Sequence, residues 1–244
     1  MTDLSDMIRA VKEGNKLEYK IKGILGRGVE PTANTVESAK LIAAVIGGER
    51  ADRSGWFHPS QSGTCPRAQM FGYLGVEGLR PDAKLQAIFL DGHWRHLKWQ
   101  IMLLDAGLIT GAEIGYRDVD RLLTGSADGI NENDEWILEI KGTSQMRSIS
   151  EPMPPHVRQV HGYFLLSGYR QAKLLYEDKA YQDFKVFDLE CDDTILREVA
   201  EEYERLGEHL EYNMMPPVLP ECQTTPDKSC AFRDVCLGYG DEIK

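Results

Sequence analysis

The chain has 244 residues, enough for one large domain or two small ones with a sizeable core. Its 39 acidic residues outnumber 28 basic ones, and the net charge of −11 argues against tight, sequence-independent coating of nucleic acid. No apolar run approaches the length of a membrane span and the first residues are acidic, so we expect a cytoplasmic protein that does not bind membranes. An odd number of cysteines, five, favours metal or cluster ligation over a disulfide framework.

Residues 1–55 are predicted to form an N-terminal extension that packs on the remaining chain or binds a partner. Within it, Leu4 to Glu13 is predicted to be a short helix, Leu17 to Ile21 an extended stretch and Thr35 to Gly47 a helix. We assign no chemistry to this extension. Residues 56–244 contain every candidate functional residue.

Cys65 precedes a predicted helix with Pro66 in its first turn and Ser62 or Thr64 as the capping residue. The positive end of a helix and the nearby Arg67 both favour the thiolate form of this cysteine. The position therefore indicates metal ligation or reactivity.

A long helix is predicted over residues 82–106, ending at Gly107. One face of it carries Leu85, Phe89, Gly92, His96, Trp99 and Leu103. His96 thus lies on the stripe expected to face the core, and a buried, hydrogen-bonded histidine is the alternative to a metal ligand.

Three successive strands are predicted over residues 112–119, 121–130 and 135–141. The last two form a hairpin that places Asp128 on one strand and Glu139 and Lys141 on the next. Glu139 and Lys141 are two residues apart and leave the same face of their strand. Two acids beside a lysine could hold a hard divalent cation, although charged residues also alternate on any half-solvated strand.

Further elements follow the hairpin. A helix from His156 to Leu166, closed by Gly168, carries Gln159 and Tyr163 one turn apart. Two more strands are predicted over residues 171–177 and 184–190, and a last long helix opens at Asp193.

Cys222, Cys230 and Cys236 lie within fifteen residues of a proline-rich, polar C-terminal segment. A ligated metal centre would order such a segment, and a tetrahedral thiolate site needs a fourth ligand. Cys191 lies among acids that disfavour thiolate, so Cys65 is the better candidate. The paired short knuckles of structural zinc are absent from the sequence, and long, uneven spacing suits an iron–sulfur cluster at least as well as zinc. Zinc, a cluster and unligated cysteines are therefore all open at this point.

Taken together, these residues resemble the PD-(D/E)xK nuclease superfamily in its iron–sulfur RecB-like branch, which includes the Cas-four-type exonucleases, their phage relatives and the AddB nuclease domain. The resemblance covers residues 60–240. Its motifs are, in order, an upstream cysteine (Cys65), Gly-x-x-x-His (Gly92 to His96), Gly-x-x-Asp (Gly125 to Asp128), Glu-x-Lys (Glu139 to Lys141), Gln-x-x-x-Tyr (Gln159 to Tyr163) and three C-terminal cysteines. The cysteine spacing of seven and then five residues departs from the tighter first gap of the family.

The resemblance implies an α/β, restriction-endonuclease-like core: a mixed central sheet flanked by helices, with residues 56–244 as the nuclease domain. It implies that His96, Asp128, Glu139 and the carbonyl of Ile140 hold Mg²⁺ or Mn²⁺, with Lys141, Gln159 and Tyr163 completing the catalytic site. A 4Fe-4S cluster on Cys65, Cys222, Cys230 and Cys236 would clasp the C-terminal tail to the N-terminal part of the domain.

The resemblance also implies the activity of a DNA exonuclease that acts on single-stranded ends, with protein partners in recombination, repair or CRISPR adaptation. The acidic net charge supports one alternative, a DNA-end-binding or scaffolding subunit whose nuclease site is idle or depends on a partner.

Overall fold

A computed structural model describes residues 16–29, 32–46, 53–223 and 229–243. Its strands are β1 Gly111–Asp118, β2 Leu123–Asn131, β3 Trp136–Thr143, β4 Gln171–Asp178 and β5 Phe184–Glu190. Its helices are α1 Leu17–Gly26, α2 Ala33–Ile46, α3 Pro66–Tyr73, α4 Ala83–Asp105, α5 Pro154–Ser167, α6 Asp193–Glu211 and the short α7 Arg233–Cys236. None of these helices is long and apolar enough to cross a membrane.

The five strands form one mixed sheet in the order β1-β2-β3-β4-β5. Only β3 and β4 are parallel, and the other neighbours pair antiparallel. A parallel pair needs a crossover connection, which α5 supplies between β3 and β4. The predicted mixed sheet flanked by helices is confirmed and is consistent with a restriction-endonuclease-like fold.

Helices cover both faces of the sheet. Val160 and Phe164 of α5 pack in one buried cluster with Ile137, whereas Trp99 of α4 packs in another with Leu138. Consecutive residues of a strand point to opposite faces, so α4 and α5 lie on opposite sides of β3. A third cluster joins α3 to α6.

Two predicted features of the helices are wrong. Leu17 to Ile21 is the first part of α1 and not an extended stretch, because Leu17 and Ile21, one turn apart, are both buried with Trp99. On α4 only the C-terminal half of the apolar face is buried against the sheet, and Leu85 and Phe89 are exposed.

The other boundaries agree closely with prediction. Helix α2 matches the predicted helix over residues 35–47, and the predicted helix Leu4 to Glu13 lies outside the described residues.

Helix α1 also protects the sheet edge, since Glu18 Oε2 accepts a hydrogen bond from the backbone N–H of Val186 on β5, at 3.2 Å.

Candidate active site

The β2–β3 hairpin places Asp128, Glu139 and Lys141 as predicted, on two adjacent strands. Backbone pairing between the strands ends at Gly129 and Leu138. Just beyond this last pair, Asp128, the neighbour of Gly129 on β2, accepts a hydrogen bond at Oδ2 from the backbone N–H of Ile140 on β3, at 2.6 Å. A side chain replaces the backbone partner at this point, so the hairpin opens where its acidic residues lie.

His96 reaches this opening from α4. Its Nδ1 lies 3.0 Å from Oδ1 of Asp128. Burial of the ring opposes its charged form, but the Asp128 carboxylate outweighs burial and raises the pKa of His96 to about 9. A ring with this pKa is protonated at neutral pH. Its partner, Asp128, is a candidate metal ligand.

The position of α4 is fixed by Glu177, a fully buried residue of β4. Its carboxylate accepts hydrogen bonds from Trp99 Nε1 at 2.6 Å and from Lys98, and Arg95 Nη1 lies 3.0 Å away. These three residues lie on either side of His96 in the helix. A buried carboxylate satisfied in this way holds the histidine at a defined height above the sheet.

Glu139, Lys141 and Gln159 form a closed triangle of polar contacts. Glu139 Oε1 lies 2.7 Å from Lys141 Nζ and 2.7 Å from Gln159 Nε2, and Lys141 Nζ donates to Gln159 Oε1 at 2.8 Å. Gln159 Nε2 is 3.5 Å from the hydroxyl of Tyr163. The four predicted catalytic residues of β3 and α5 are thus brought together.

The electrostatics of this triangle follow from burial. Burial, and then the Asp128 charge, raise the pKa of Glu139 to about 7. Burial disfavours the charged form of Lys141, but Glu139 outweighs it and the pKa of Lys141 is raised. Glu139 Oε2 is buried without a hydrogen-bond partner. A buried carboxylate oxygen without a hydrogen-bond partner is a candidate ligand for a cation.

The most compact group of potential metal ligands includes Glu113, a residue that no sequence motif marks. Among the described residues, only His96, Glu113 and Asp128 offer three His, Cys, Asp or Glu ligand atoms within 4.8 Å of one another. Glu139 lies outside this trio. Glu113 belongs to a strand-like run of unremarkable pattern, and only its cross-strand position next to Asp128 could have revealed it.

Four cysteines line a single cavity of about 130 Å³: Cys65, Cys222, Cys230 and Cys236. These are the four predicted cluster ligands, brought together from both ends of the domain. Cys191 is not part of the lining. Burial, together with Asp193 and Asp192 and against the effect of Arg170, raises the pKa of Cys191, as its acidic neighbours suggested.

The start of α3 differs from prediction. Cys65 itself occupies the N-cap position, and neither Ser62 nor Thr64 caps the helix. The Ser62 hydroxyl instead donates to Glu202 at 3.0 Å, and the Thr64 hydroxyl donates to the carbonyl of Gln61 at 2.6 Å.

Protein contacts alone already tie the C-terminal segment to α3. The buried guanidinium of Arg67 donates to the carbonyls of Pro216 at 2.7 Å, Cys236 at 3.3 Å and Gly240. The ring of Phe71 packs against Phe232 and Tyr239, at centroid distances of 5.2 and 5.0 Å. The segment therefore has more apolar anchorage than its polar sequence predicts.

The sequence matches no protein-family model and no curated protein significantly. The fold, however, resembles solved structures. The alkaline exonuclease LHK-Exo from Laribacter hongkongensis matches with a TM-score of 0.50 and 18% identity, over 66% of this chain and 91% of that one. Its complex with dAMP gives the same TM-score at 16% identity, over 66% and 90% of the two chains. The protein SSO0001 matches with a TM-score of 0.52 and 17% identity, over 86% and 96%. At these identities the likeness establishes a shared fold.

Proposed function

We propose that this protein is a metal-dependent deoxyribonuclease of the iron–sulfur PD-(D/E)xK branch, acting as an exonuclease on single-stranded DNA ends. One observation carries the proposal: the His96–Asp128 pair and the Glu139–Lys141–Gln159 triangle meet where β2 and β3 separate. The shared fold with LHK-Exo, an exonuclease solved with a bound nucleotide, supports it.

The ligand set fits a divalent cation. His96, Asp128, Glu139 and the carbonyl of Ile140 would hold Mg²⁺ or Mn²⁺, and the unpartnered Oε2 of Glu139 is an acceptor available for it. When bound, such a cation polarises a phosphodiester and lowers the pKa of a coordinated water.

The remaining residues of the site, Lys141, Gln159 and Tyr163, position one another and offer hydrogen-bond donors to the substrate. Lys141 is charged, and Glu139 and Gln159 fix its ammonium, so it has a donor ready for a phosphate oxygen or for the attacking water. Burial raises the pKa of Tyr163 well above its usual value, so its hydroxyl remains a neutral donor next to Gln159. Gln159 couples the two by accepting from Lys141 and lying beside Tyr163.

The cysteine cavity fits a cluster that braces the fold. Cys65, Cys222, Cys230 and Cys236 line one space, whereas no three cysteines among the described residues come together closely enough for a compact single-ion site. A 4Fe-4S cluster held by the four thiolates would join the start of α3 to the C-terminal segment. Its role would be structural, since it would reinforce the contacts that Arg67 already makes.

The test is degradation of labelled single-stranded DNA by purified protein with Mn²⁺, comparing linear with circular substrate. We expect the linear strand to be degraded, the circle to persist, and chelator to stop the reaction. Lys141→Ala should abolish cleavage without loss of the fold, whereas the exposed Lys40→Ala should retain full activity. Cleavage that survives Lys141→Ala would overturn the proposal. Binding of DNA ends without degradation would instead favour the scaffolding subunit.

A further inference from the structure

Glu113 lies beside the candidate active site, on β1, which pairs with the strand β2 that carries Asp128. The flanking pairs in the register are Ala112 with Gly129 and Ile114 with Ala127, which puts Glu113 opposite Asp128. Glu113 also has a left-handed backbone conformation with φ 54°. That conformation is strained for a non-glycine residue, and here it interrupts the β1–β2 ladder beside Asp128.

Two side chains hold the Glu113 carboxylate in place. Gln100, fully buried one turn after His96 on α4, donates from Nε2 to Glu113 Oε1 at 2.6 Å and to the backbone carbonyl of Asp128 at 3.0 Å. Ser126 donates its hydroxyl to Glu113 Oε2 at 3.2 Å. Both donors are neutral, and in the described part of the chain Glu113 forms no salt bridge with Lys or Arg.

The charges at this point are unbalanced. Glu113 and Asp128 are on neighbouring strands, and Glu139 on the next strand lies one residue past the last β2–β3 pair. Like charges on adjacent strands repel, and burial strengthens the repulsion. His96 and Lys141 are the nearby cations, but Lys141 is engaged by Glu139 and Gln159. Three carboxylates in such an arrangement favour an added cation.

Two buried side-chain oxygens of residues near Asp128 have no hydrogen-bond partner. Glu139 is 3% exposed and its Oε2 has no hydrogen-bond partner. Gln100 is 0% exposed and its Oε1 has none either, although its Nε2 is bonded to Glu113. Such orphaned acceptors are costly unless a ligand or water completes them.

We propose that Glu113 is a ligand of the active-site divalent cation, sharing it with His96 and Asp128, and that Gln100 holds Glu113 in position. The ligand atoms of the three residues already lie within 4.8 Å of one another. One imidazole nitrogen and two carboxylate oxygens form a donor set suited to Mn²⁺. This inference rests on the proposed function, because it adds a residue to the same metal centre.

The experiment is calorimetric titration of Mn²⁺ into chelator-treated, full-length protein, accompanied by melting temperatures with and without Mn²⁺. The variants are Glu113→Gln, Glu113→Asp and the reference Asp128→Asn. The control is Glu132→Gln, which removes the same charge from the exposed β2–β3 turn.

If Glu113 is a ligand, Glu113→Gln should weaken Mn²⁺ binding at least about tenfold, as Asp128→Asn does, and Glu132→Gln should not. Glu113→Asp keeps the charge but shortens the reach, so we expect an affinity between those of wild type and Glu113→Gln. Loss of a repelling charge should leave the metal-free melting temperature of Glu113→Gln equal to or above that of wild type, while the stabilisation by Mn²⁺ shrinks.

Two results would overturn the inference while sparing the proposed function. One is wild-type Mn²⁺ affinity in Glu113→Gln when Asp128→Asn has lost binding. The other is a lower metal-free melting temperature of Glu113→Gln with affinity retained, which would make Glu113 a purely structural residue. If wild-type protein does not bind Mn²⁺ at all, the proposed metal-dependent function fails as well.

Discussion

His96 Nδ1 lies 3.0 Å from Asp128 Oδ1, and this contact links α4 to β2 at the point where the hairpin opens. In the metal-free protein it is an ion pair, because the pKa of His96 is raised to about 9 despite its burial. A divalent cation would need the neutral imidazole and the same carboxylate. The ion pair would therefore compete directly with the proposed cation.

The first prediction concerns stability and pH in the metal-free protein. Folding raises the pKa of His96 from 6.5 to about 9 and the pKa of Glu139 from 4.5 to about 7. Within each of these two pH ranges the folded state therefore binds more protons than the unfolded state. Stability from Glu139 should thus be lost as the pH rises towards 7, and stability from His96 as it rises through 9. Thermal denaturation in chelator at pH 5, 7 and 9 should give falling melting temperatures.

Substitution isolates the contribution of the histidine. In His96→Asn the decline between pH 7 and 9 should flatten, because the titrating ring is gone. Mn²⁺ binding to the wild type should also tighten over this interval, since the proton on His96 no longer competes. A wild-type melting temperature that climbs from pH 5 to 9 would contradict the assigned His96–Asp128 pair.

The second prediction concerns Gln159. Gln159→Leu keeps the approximate shape but removes the acceptor of Lys141 and a donor to Glu139. We expect kcat for DNA cleavage to fall on the order of 100-fold with little change in KM, since the ammonium is misplaced rather than removed. The exposed Gln171→Leu is the matched control. Equal kcat values for the two variants would show that the triangle does not position Lys141.

The third prediction uses two glycines on neighbouring strands. A Cβ at Gly125 would meet Pro59 Cδ at 2.9 Å and the Tyr163 ring at 3.0 Å, whereas a Cβ at Gly115 meets nothing within 4 Å. Gly125→Ala should therefore destabilise the fold by about 1–3 kcal/mol through overpacking and displace Tyr163. Chemical denaturation should show this loss for Gly125→Ala and much less for Gly115→Ala. Similar stabilities would mean that Pro59 and Tyr163 move aside easily.

The fourth prediction concerns the cysteines. Anaerobically purified protein should contain iron and acid-labile sulfide with broad visible absorption, and Cys236→Ser should lose them. Cys191→Ser should keep them, because Cys191 does not line the cavity. Zinc without sulfide in wild-type protein would replace the cluster with a zinc site and leave the choice of ligands intact.

The hairpin and its acids could be predicted because turn residues and strand alternation are local signals. The convergence of Cys65 with the C-terminal cysteines was also predictable, from thiol electrostatics and the resemblance. Glu113 and Gln100 were not, because their importance lies in the β1–β2 register and in the helix-to-sheet packing, which no local pattern encodes.

The errors in the helices have related causes. Leu17 to Ile21 was predicted to be extended, but Leu17 and Ile21 lie one turn apart in helix α1 and are both buried with Trp99. The stripe on α4 was expected to face the core, but only its C-terminal half, with Trp99 and Leu103, is buried, and Leu85 and Phe89 are exposed. In both cases tertiary packing determined what local periodicity could not.

The central claim is that the open end of the β2–β3 hairpin is a divalent metal centre. Anomalous diffraction from crystals soaked in Mn²⁺ tests it most directly. We expect a manganese peak bounded by His96, Asp128 and Glu139, absent from crystals of Asp128→Asn. Fully soaked wild-type crystals without a peak there, or with manganese only elsewhere, would contradict the account.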